Sequence, residues 1–471
     1  MDYSEDRFGI NDDFFEEKDL KERIENCRRM IAEGLVFSYS EEMEEVIHLC
    51  MEYDYVEDGL FLANALLEIA PYDSELWQLR GAFLNNSFEF EEAYNSFIKS
   101  LTLSPNDVET LLNKALAEEN LGLIEDAKET LEEVLRLDSS NEEAYFSMGV
   151  LYQKEDNFPK AIEYFLKAIE IDDEYSEVYY ELGYCYESID NFSKALEAYD
   201  RYLDLEPYSV TGWYNRGIIF IRMAKYENAI DSFELAIALK EDFSNAWFNK
   251  GIALANTGKL ESALEAFKRA AELDKYDEDI YFNLGQIYEE MEDMENAIKY
   301  YSDAINLNNG YFDAVISRGF CYEEVEKYSL ALNDFIKAIS LDRSSSDAWM
   351  GKADMEYFLG KLSDSKESYK KVLSLEADNH DAWQKLAEIS LEQGDWTEGM
   401  DAYNECIKLN PQDANSYYGK AKVNFILSKT QEAIECLKSA FMLDPSMKNE
   451  FAKEYPEIKS SKLFNKLLGD N

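Results

Sequence analysis

The 471-residue sequence contains little proline and little glycine, with seven prolines and 20 glycines. Soluble proteins average about 5% proline and 7% glycine, and both residues are unfavourable in the interior of a helix. The shortage of both therefore favours a largely helical chain over a β-sandwich or a β-barrel.

Positive charge is also scarce, because 46 Lys and Arg stand against 98 Asp and Glu, which gives a formal net charge of −52. Nucleic acids and anionic lipid surfaces are bound through cationic side chains, so we expect neither as a direct partner. Hydrophobic residues make up 46% of the chain and aromatic residues 14%. That apolar content is too high for a disordered acidic chain, and we expect a folded protein.

Residues that commonly carry chemistry are few. The two histidines, His48 and His380, lie far apart in the sequence, which leaves a histidine-based catalytic triad or metal cluster without partners. The sequence contains no glycine-rich phosphate loop and no dinucleotide-binding fingerprint. We therefore expect no enzymatic activity, no cofactor and no bound metal.

Paired cysteines and long apolar runs are missing as well. The six cysteines include no CxxC pair, so we expect free thiols packed within helices rather than a disulfide framework. No stretch approaches the roughly 18 apolar residues of a membrane span, and Met1 to Leu20 contains no signal-peptide core. These features predict a cytoplasmic protein that does not enter a membrane.

The sequence does contain a strong period of 34 residues. Small residues recur at this spacing at Gly81, Ala115, Gly149, Gly183, Gly217, Gly251, Gly285, Gly319, Ala353, Ala387 and Ala421. A second small residue follows each of them after 12 positions, and a bulky ring follows in most units after four more. Because residues three and four apart share one face of a helix, each unit is predicted to be a hairpin of two amphipathic helices.

The unit from Thr211, with Trp213, Gly217, Ala229 and Phe233, resembles the tetratricopeptide repeat family. The resemblance implies an all-α, right-handed superhelix, a TPR solenoid in which each repeat contacts only its neighbours. Twelve 34-residue repeats are expected to form one continuous array over residues 40–447. Their predicted starts are residues 40, 74, 108, 142, 176, 210, 244, 278, 312, 346, 380 and 414.

Capping segments are expected at both ends of the array, because the ends of a solenoid need polar covers. Residues 1–39 are predicted to be an acidic mobile N-terminus followed by a capping helix, and residues 448–471 to be C-terminal capping helices. The apolar residues expected to pack in these caps are Leu20, Ile24, Cys27 and Ile31 in the first, and Phe451, Tyr455, Leu463, Phe464, Leu467 and Leu468 in the second.

The family resemblance also implies that the first helix of each repeat lines a concave groove. At one position of that lining stand Asn215, Asn249 and Asn283, whose amides carry both donors and acceptors and could pair with successive peptide groups of an extended ligand. The alternative is that these asparagines serve hydration or folding. The neighbouring position carries Phe146, Tyr180, Tyr214, Phe248 and Phe282. This row of rings is either an exposed interaction surface or packing against the next helix.

The remaining lining is expected to be apolar and polar at Ile218, Arg222, Ile252, Asn256 and Gln286, and acidic at Glu289, Glu290, Glu323 and Glu324. We therefore expect a protein or peptide partner with an extended, basic segment. The two-carboxylate clamp by which some relatives bind acidic chaperone tails is absent, since position 2 of the central repeats is acidic or neutral.

The leading hypothesis is a non-enzymatic protein–protein interaction scaffold that uses the concave groove. The first alternative is a structural or self-associating assembly subunit that uses its ends or outer surface. The second is a regulatory arm of an enzyme complex.

Overall fold

The computed structural model describes residues 9–456, with side chains described from residue 19 onward. Within this range the chain forms 26 α-helices and one short 3-10 turn, and it contains no strand. The expected capping residues Leu463, Phe464, Leu467 and Leu468 lie outside the described residues. The chain divides into two compact units, a first unit that ends at Leu239 and a second unit that begins at Lys240. Sequence reasoning expected one continuous array.

The helices of the first unit, with the 3-10 turn Val36–Ser38 between the first two, are α1 (Gly9–Ala32), α2 (Ser40–Glu52), α3 (Val56–Ile69), α4 (Ser74–Asn86), α5 (Phe90–Leu103), α6 (Val108–Asn120), α7 (Ile124–Leu137), α8 (Glu142–Lys154), α9 (Phe158–Ile171), α10 (Ser176–Ser188), α11 (Phe192–Leu205), α12 (Val210–Arg222) and α13 (Tyr226–Leu239). Helix α1 lies within the segment 1–39, for which a capping helix was expected.

The helices of the second unit are α14 (Ser244–Asn256), α15 (Leu260–Leu273), α16 (Glu278–Glu290), α17 (Met294–Leu307), α18 (Phe312–Glu324), α19 (Tyr328–Leu341), α20 (Ser346–Phe358), α21 (Leu362–Leu375), α22 (His380–Gln393), α23 (Trp396–Leu409), α24 (Ala414–Ile426), α25 (Thr430–Leu443) and α26 (Met447–Glu454). In both units, from α2 to α24, each even-numbered helix packs against the odd-numbered helix that follows it. The prediction of an all-α fold built from about twelve helical hairpins is confirmed.

Close contact between the two helices of a hairpin explains the small residues of the repeat. Gly217 on α12 faces the ring of Phe233 on α13, and a Cβ at Gly217 would lie 2.5 Å from that ring. In the second unit a Cβ at Gly285 would lie 2.5 Å from the ring of Tyr301. Each bulky ring therefore fills the space that the small residue leaves.

The tryptophans of the repeat hydrogen-bond to the loop that precedes the first helix of their own hairpin. The indole Nε1 of Trp213 donates to the carbonyl oxygen of Pro207 at 2.9 Å, six residues earlier. Trp77, Trp247, Trp349 and Trp383 make the corresponding bond to the carbonyl six residues before them. The shared position of five tryptophans thus reflects one recurring hydrogen bond.

Apolar residues at both ends of the described chain are buried. Leu20, Ile24 and Cys27 of α1 belong to the same core cluster as the residues of α2 and α3. At the other end Phe451 of α26 is buried and lies 5.8 Å from the ring of Phe441 on α25. These terminal helices bury apolar surface against the neighbouring hairpins.

Candidate functional site

The expected groove residues fall into both units. The first unit holds Phe146, Tyr180, Tyr214, Asn215, Ile218 and Arg222, and the others belong to the second unit. Each set lies on first helices of its own unit.

In the first unit, Asn215 is engaged by a neighbouring first helix. Its Nδ2 donates to the hydroxyl of Tyr180 at 3.1 Å, and the Tyr180 ring packs edge-on against Tyr202 with centroids 5.3 Å apart. Asn215 thus joins α12 to α10, which favours the structural role that was left open for it.

The rest of the first-unit set is mixed in exposure. Ile218 and Tyr214 are half-buried, and the Tyr214 ring lies 5.8 Å from Phe233 in the same hairpin. Arg222 is exposed. Burial raises the pKa of Glu187 on α10, while the charge of Arg222 lowers it. This surface therefore places a cation close to a half-buried carboxyl group.

In the second unit the asparagine amides bond to their own helices. The Nδ2 of Asn249 donates to the carbonyl of Asn245 at 2.9 Å, and that of Asn283 donates to the carbonyl of Asp279 at 2.8 Å. Asn256 is exposed and does the same with Ile252 at 2.9 Å. Each of these three amide nitrogens thus donates to a backbone carbonyl of its own helix.

The rings of the second unit are half-buried. Phe248 lies 5.7 Å from Phe267, and Phe282 lies 5.6 Å from Tyr301, each on the second helix of its own hairpin. One side of these rings is therefore packed, and the other remains partly open to solvent. The rings pack within their hairpins, and their use as an interaction surface stays a prediction.

The expected acidic residues differ in their environments. Glu289 accepts a hydrogen bond from the Tyr301 hydroxyl at 2.5 Å, so it serves the packing of its own hairpin. Glu290 and Glu324 are exposed. Glu323 is half-buried, and its pKa is raised first by burial and then by the negative charges of Asp354 and Glu324. Carboxylates of α18 and α20 thus act on each other across adjacent hairpins.

Three further residues on the first helices α18 and α20 were not identified from the sequence. Phe320 on α18 is 40% exposed and Phe358 on α20 is 53% exposed. Burial raises the pKa of Asp354, although the Tyr369 hydroxyl donates to its carboxylate at 2.5 Å and Lys385 also lowers the value. The sequence did contain a signal for them. Ile252, Gln286, Phe320 and Asp354 follow one another at intervals of 34 residues, and Phe358 follows Glu324 at the same interval.

We call this surface of the second unit the acidic–aromatic face. Its residues lie on the first helices α16, α18 and α20 and combine partly exposed rings with carboxylates. They are Phe282, Gln286, Glu290, Phe320, Glu323, Glu324, Asp354 and Phe358.

Between residues 9 and 456 no group of three or more His, Cys, Asp and Glu is arranged to hold a metal ion. Within the same range no helix is both long enough and apolar enough to cross a membrane.

Family models match much of the chain. Models of the tetratricopeptide repeat match residues 108–141, 142–175, 164–197, 210–243, 278–311 and 346–379, and a TPR repeat model matches residues 254–292. A model described as subunit 3 of the anaphase-promoting complex, or cyclosome, matches residues 367–440. None of these models describes a catalytic domain.

Two curated proteins match short segments. Protein NPGR2 of Arabidopsis thaliana is 31% identical over 103 residues, which cover 21% of this chain and 14% of that protein. The peroxisomal targeting signal receptor of Kluyveromyces lactis is 38% identical over 65 residues, which cover 14% of this chain and 12% of that protein. The matches therefore span only a small part of each relative.

Solved structures are similar at low identity. The APC/C hetero-tetramer Cut9-Hcn1 is 13% identical, with a TM-score of 0.36, and the match covers 93% of this chain and 98% of that one. The C-terminal part of a TPR repeat-containing protein from Cytophaga hutchinsonii is 18% identical, with a TM-score of 0.46, and the match covers 51% and 98%. YrrB, a TPR protein with an unusual peptide-binding site, is 23% identical, with a TM-score of 0.37, and the match covers 40% and 97%.

The repeated helical hairpins and their 34-residue period define a helical-repeat protein. With the matches of the repeat models, the chain belongs to the tetratricopeptide repeat family. Its repeats indicate a scaffold for protein–protein interaction.

Proposed function

We propose that this chain is a non-enzymatic, cytoplasmic scaffold that holds an extended segment of another protein along the acidic–aromatic face. The segment carries Lys or Arg side chains next to apolar ones. The observation that carries the proposal is that Glu323 and Asp354 are both partly buried on adjacent hairpins. The pKa of Glu323 is raised first by this burial and then by the negative charge of Asp354. The repeat family supplies the general role in protein binding.

Electrostatics favours a cationic group at this position. Burial raises the pKa of both Glu323 and Asp354, and the negative charge of Asp354 raises that of Glu323 further. A Lys or Arg of the ligand that bonds to Glu323 relieves this repulsion. A hydrogen bond to a charged group contributes about 1.5–3 kcal/mol, so one such contact is sufficient to matter for affinity.

Apolar side chains of the ligand have their own contacts on the same face. Phe320 lies 5.0 Å from Phe335, which fixes the ring from behind. The Phe358 ring stacks on Tyr328 with centroids 4.8 Å apart and an angle of 12° between the ring planes. Rings held in this way lose little entropy on binding and are typical anchors of interfaces.

The names of similar proteins agree with a scaffold role. One relative is a receptor for a targeting signal, and one matching model describes a subunit of a multiprotein complex. Both names describe proteins that bind other proteins.

We also propose the repeat boundaries that the sequence suggests, with twelve repeats over residues 40–447 and caps at residues 1–39 and 448–471. The proposal is supported by first helices that begin at 34-residue intervals, such as Val210, Ser244 and Glu278.

The function can be tested by fluorescence anisotropy with two labelled peptides of equal length, one alternating Lys with Leu and one alternating Glu with Leu. The Lys peptide is expected to bind and the Glu peptide is not. The variant Glu323→Gln/Glu324→Gln is expected to weaken binding about tenfold, since tenfold corresponds to 1.4 kcal/mol.

The matched control is Glu261→Gln/Glu295→Gln, which removes two exposed carboxylates from the second helices α15 and α17. It removes the same amount of negative charge and is expected to leave the affinity nearly unchanged. Equal losses in the two variants would show that the peptide responds only to overall charge, and the proposed site would be wrong.

A further inference from the structure

One turn of the first unit presents an aromatic ring where the backbone disfavours it. The turn between the two helices of every hairpin contains a residue with φ between 54° and 79°. These residues are Asp54, Phe88, Gly122, Asp156, Asp190, Ala224, Gly258, Glu292, Glu326, Gly360, Gly394 and Ser428. Phe88 is the only aromatic residue among the twelve.

The left-handed region is unfavourable for a bulky side chain, and Phe88 has a φ of 61°. Its side chain is also 80% exposed, so burial within the described chain does not offset this cost. The centroid of its ring lies 6.1 Å from that of the Phe90 ring. A strained residue that gains so little within its own fold points to a role outside it.

A shallow hollow lies at the other end of the same hairpin. Pro71, Trp77, Lys99, Thr102 and Leu103 line a cavity of about 300 Å³. The ammonium group of Lys99 lies 4.0 Å from the centroid of the Trp77 ring. The hollow is therefore largely apolar with one cation at its edge.

Phe88 cannot reach the hollow of its own molecule. The hollow is formed where α4 begins and α5 ends, whereas Phe88 stands where α4 ends and α5 begins. With a rise of about 1.5 Å per residue, the length of α4 separates the two by roughly 20 Å. Only another molecule can bring the ring and the hollow together.

The charges around the two features are complementary. The exposed carboxylates of Glu89 and Glu91 flank Phe88, and Lys99 stands at the hollow. A ring inserted into the hollow would bring acidic residues towards this lysine.

We propose that Phe88 of one copy of this chain inserts into the hollow between Trp77 and Leu103 of a second copy. This contact involves only the first unit and is independent of the acidic–aromatic face. It is small compared with the roughly 1,200 Å² or more of a stable interface, and the net charge of −52 opposes it. The association is therefore weak and strengthens as salt screens the repulsion.

The test is sedimentation velocity of the full chain over a range of concentrations, at low and at high salt. The wild-type mass is expected to rise with concentration, most clearly at high salt. Phe88→Gly, which removes the ring and relieves the backbone, is expected to weaken association at least tenfold without lowering the melting temperature. The control Ala224→Gly relieves the same backbone position elsewhere and is expected to associate like the wild type.

A charge exchange tests the predicted partner surface directly. Lys99→Glu is expected to weaken association at moderate salt, and adding Glu89→Lys is expected to restore it. Phe88→Asp, which places at this turn a residue that the chain uses at Asp54, Asp156 and Asp190, provides a second variant without the ring. The proposal is overturned if the wild type stays monomeric at every concentration and salt, or if Phe88→Gly and Phe88→Asp associate like the wild type.

Discussion

Arg318 joins three helices of the second unit through a largely buried ion pair. Its Nε and Nη2 donate to the two carboxylate oxygens of Asp334 at 2.8 and 2.7 Å, and its Nη1 donates to Ser302 at 3.0 Å. Arg318 lies on α18, Asp334 on α19 and Ser302 on α17. The side chains of the ion pair are 17% and 8% exposed, so the pair is largely shielded from solvent, and the bond to Ser302 links its hairpin to the preceding one.

We predict that Arg318→Leu lowers the free energy of unfolding by about 3–5 kcal/mol, because it leaves a buried carboxylate without its partner. The loss does not measure what the pair itself contributes, since replacing both buried partners by apolar residues is often neutral. The double variant Arg318→Leu/Asp334→Leu is therefore expected to be more stable than the single one.

Arg216 provides the matched comparison in the first unit. It bonds to Asp200 at 2.6 Å and to Ser232 at 3.0 Å, but the Asp200 side chain is 49% exposed. The carboxylate remains hydrated when the arginine is removed, so Arg216→Leu is expected to cost only about 1 kcal/mol.

Urea unfolding followed by far-UV circular dichroism measures both losses, and hydrogen exchange locates them along the chain. Faster exchange in Arg318→Leu is expected to centre on α17 to α19. The reasoning is refuted if Arg318→Leu costs no more than Arg216→Leu, or if the double variant is as unstable as Arg318→Leu.

Three further predictions concern packing, pH and thiol reactivity. Gly217→Ala is expected to cost about 1–3 kcal/mol in urea unfolding, and Gly319→Ala less, because its added Cβ would lie 3.1 Å rather than 2.5 Å from the facing ring; equal losses would contradict this packing. Because the pKa values of Glu323 and Asp354 are raised, anisotropy at constant salt should show affinity for the Lys peptide falling as pH drops through values above the usual carboxyl pKa of about 4; an unchanged affinity down to that pH would count against these carboxylates. Ellman's reagent is expected to modify Cys436 first in the native protein, since the other five cysteines are buried, and faster modification of any other thiol would be inconsistent with this burial.

The fold was predictable because its determinants repeat in the sequence. A glycine such as Gly217 faces a ring such as Phe233 in seven of the hairpins, so the same pair of residue types recurs after 34 positions. The periodicity therefore predicts paired helices without knowledge of any long-range contact. The division of the chain at Leu239 has no comparable signal, since the 34-residue period continues through it.

The candidate site was less predictable. The position of a residue in the repeat fixes where its side chain leaves the backbone, but it does not fix which group that side chain hydrogen-bonds to. Asn215 bonds to Tyr180 on the preceding first helix, whereas Asn283, at the same register, bonds to its own backbone. Glu289 bonds to Tyr301 because that repeat has a tyrosine where others have phenylalanine. Such choices depend on the local neighbours of each residue.

Photo-crosslinking tests the central claim most directly. A Lys-rich peptide that carries a photoreactive side chain is bound to the full chain, irradiated, and its adducts are located by mass spectrometry. Adducts are expected on α16, α18 and α20, near Phe320 and Phe358, and excess unlabelled peptide should abolish them. Adducts centred on the second helices α17, α19 and α21, or spread evenly along the acidic chain, would contradict the account.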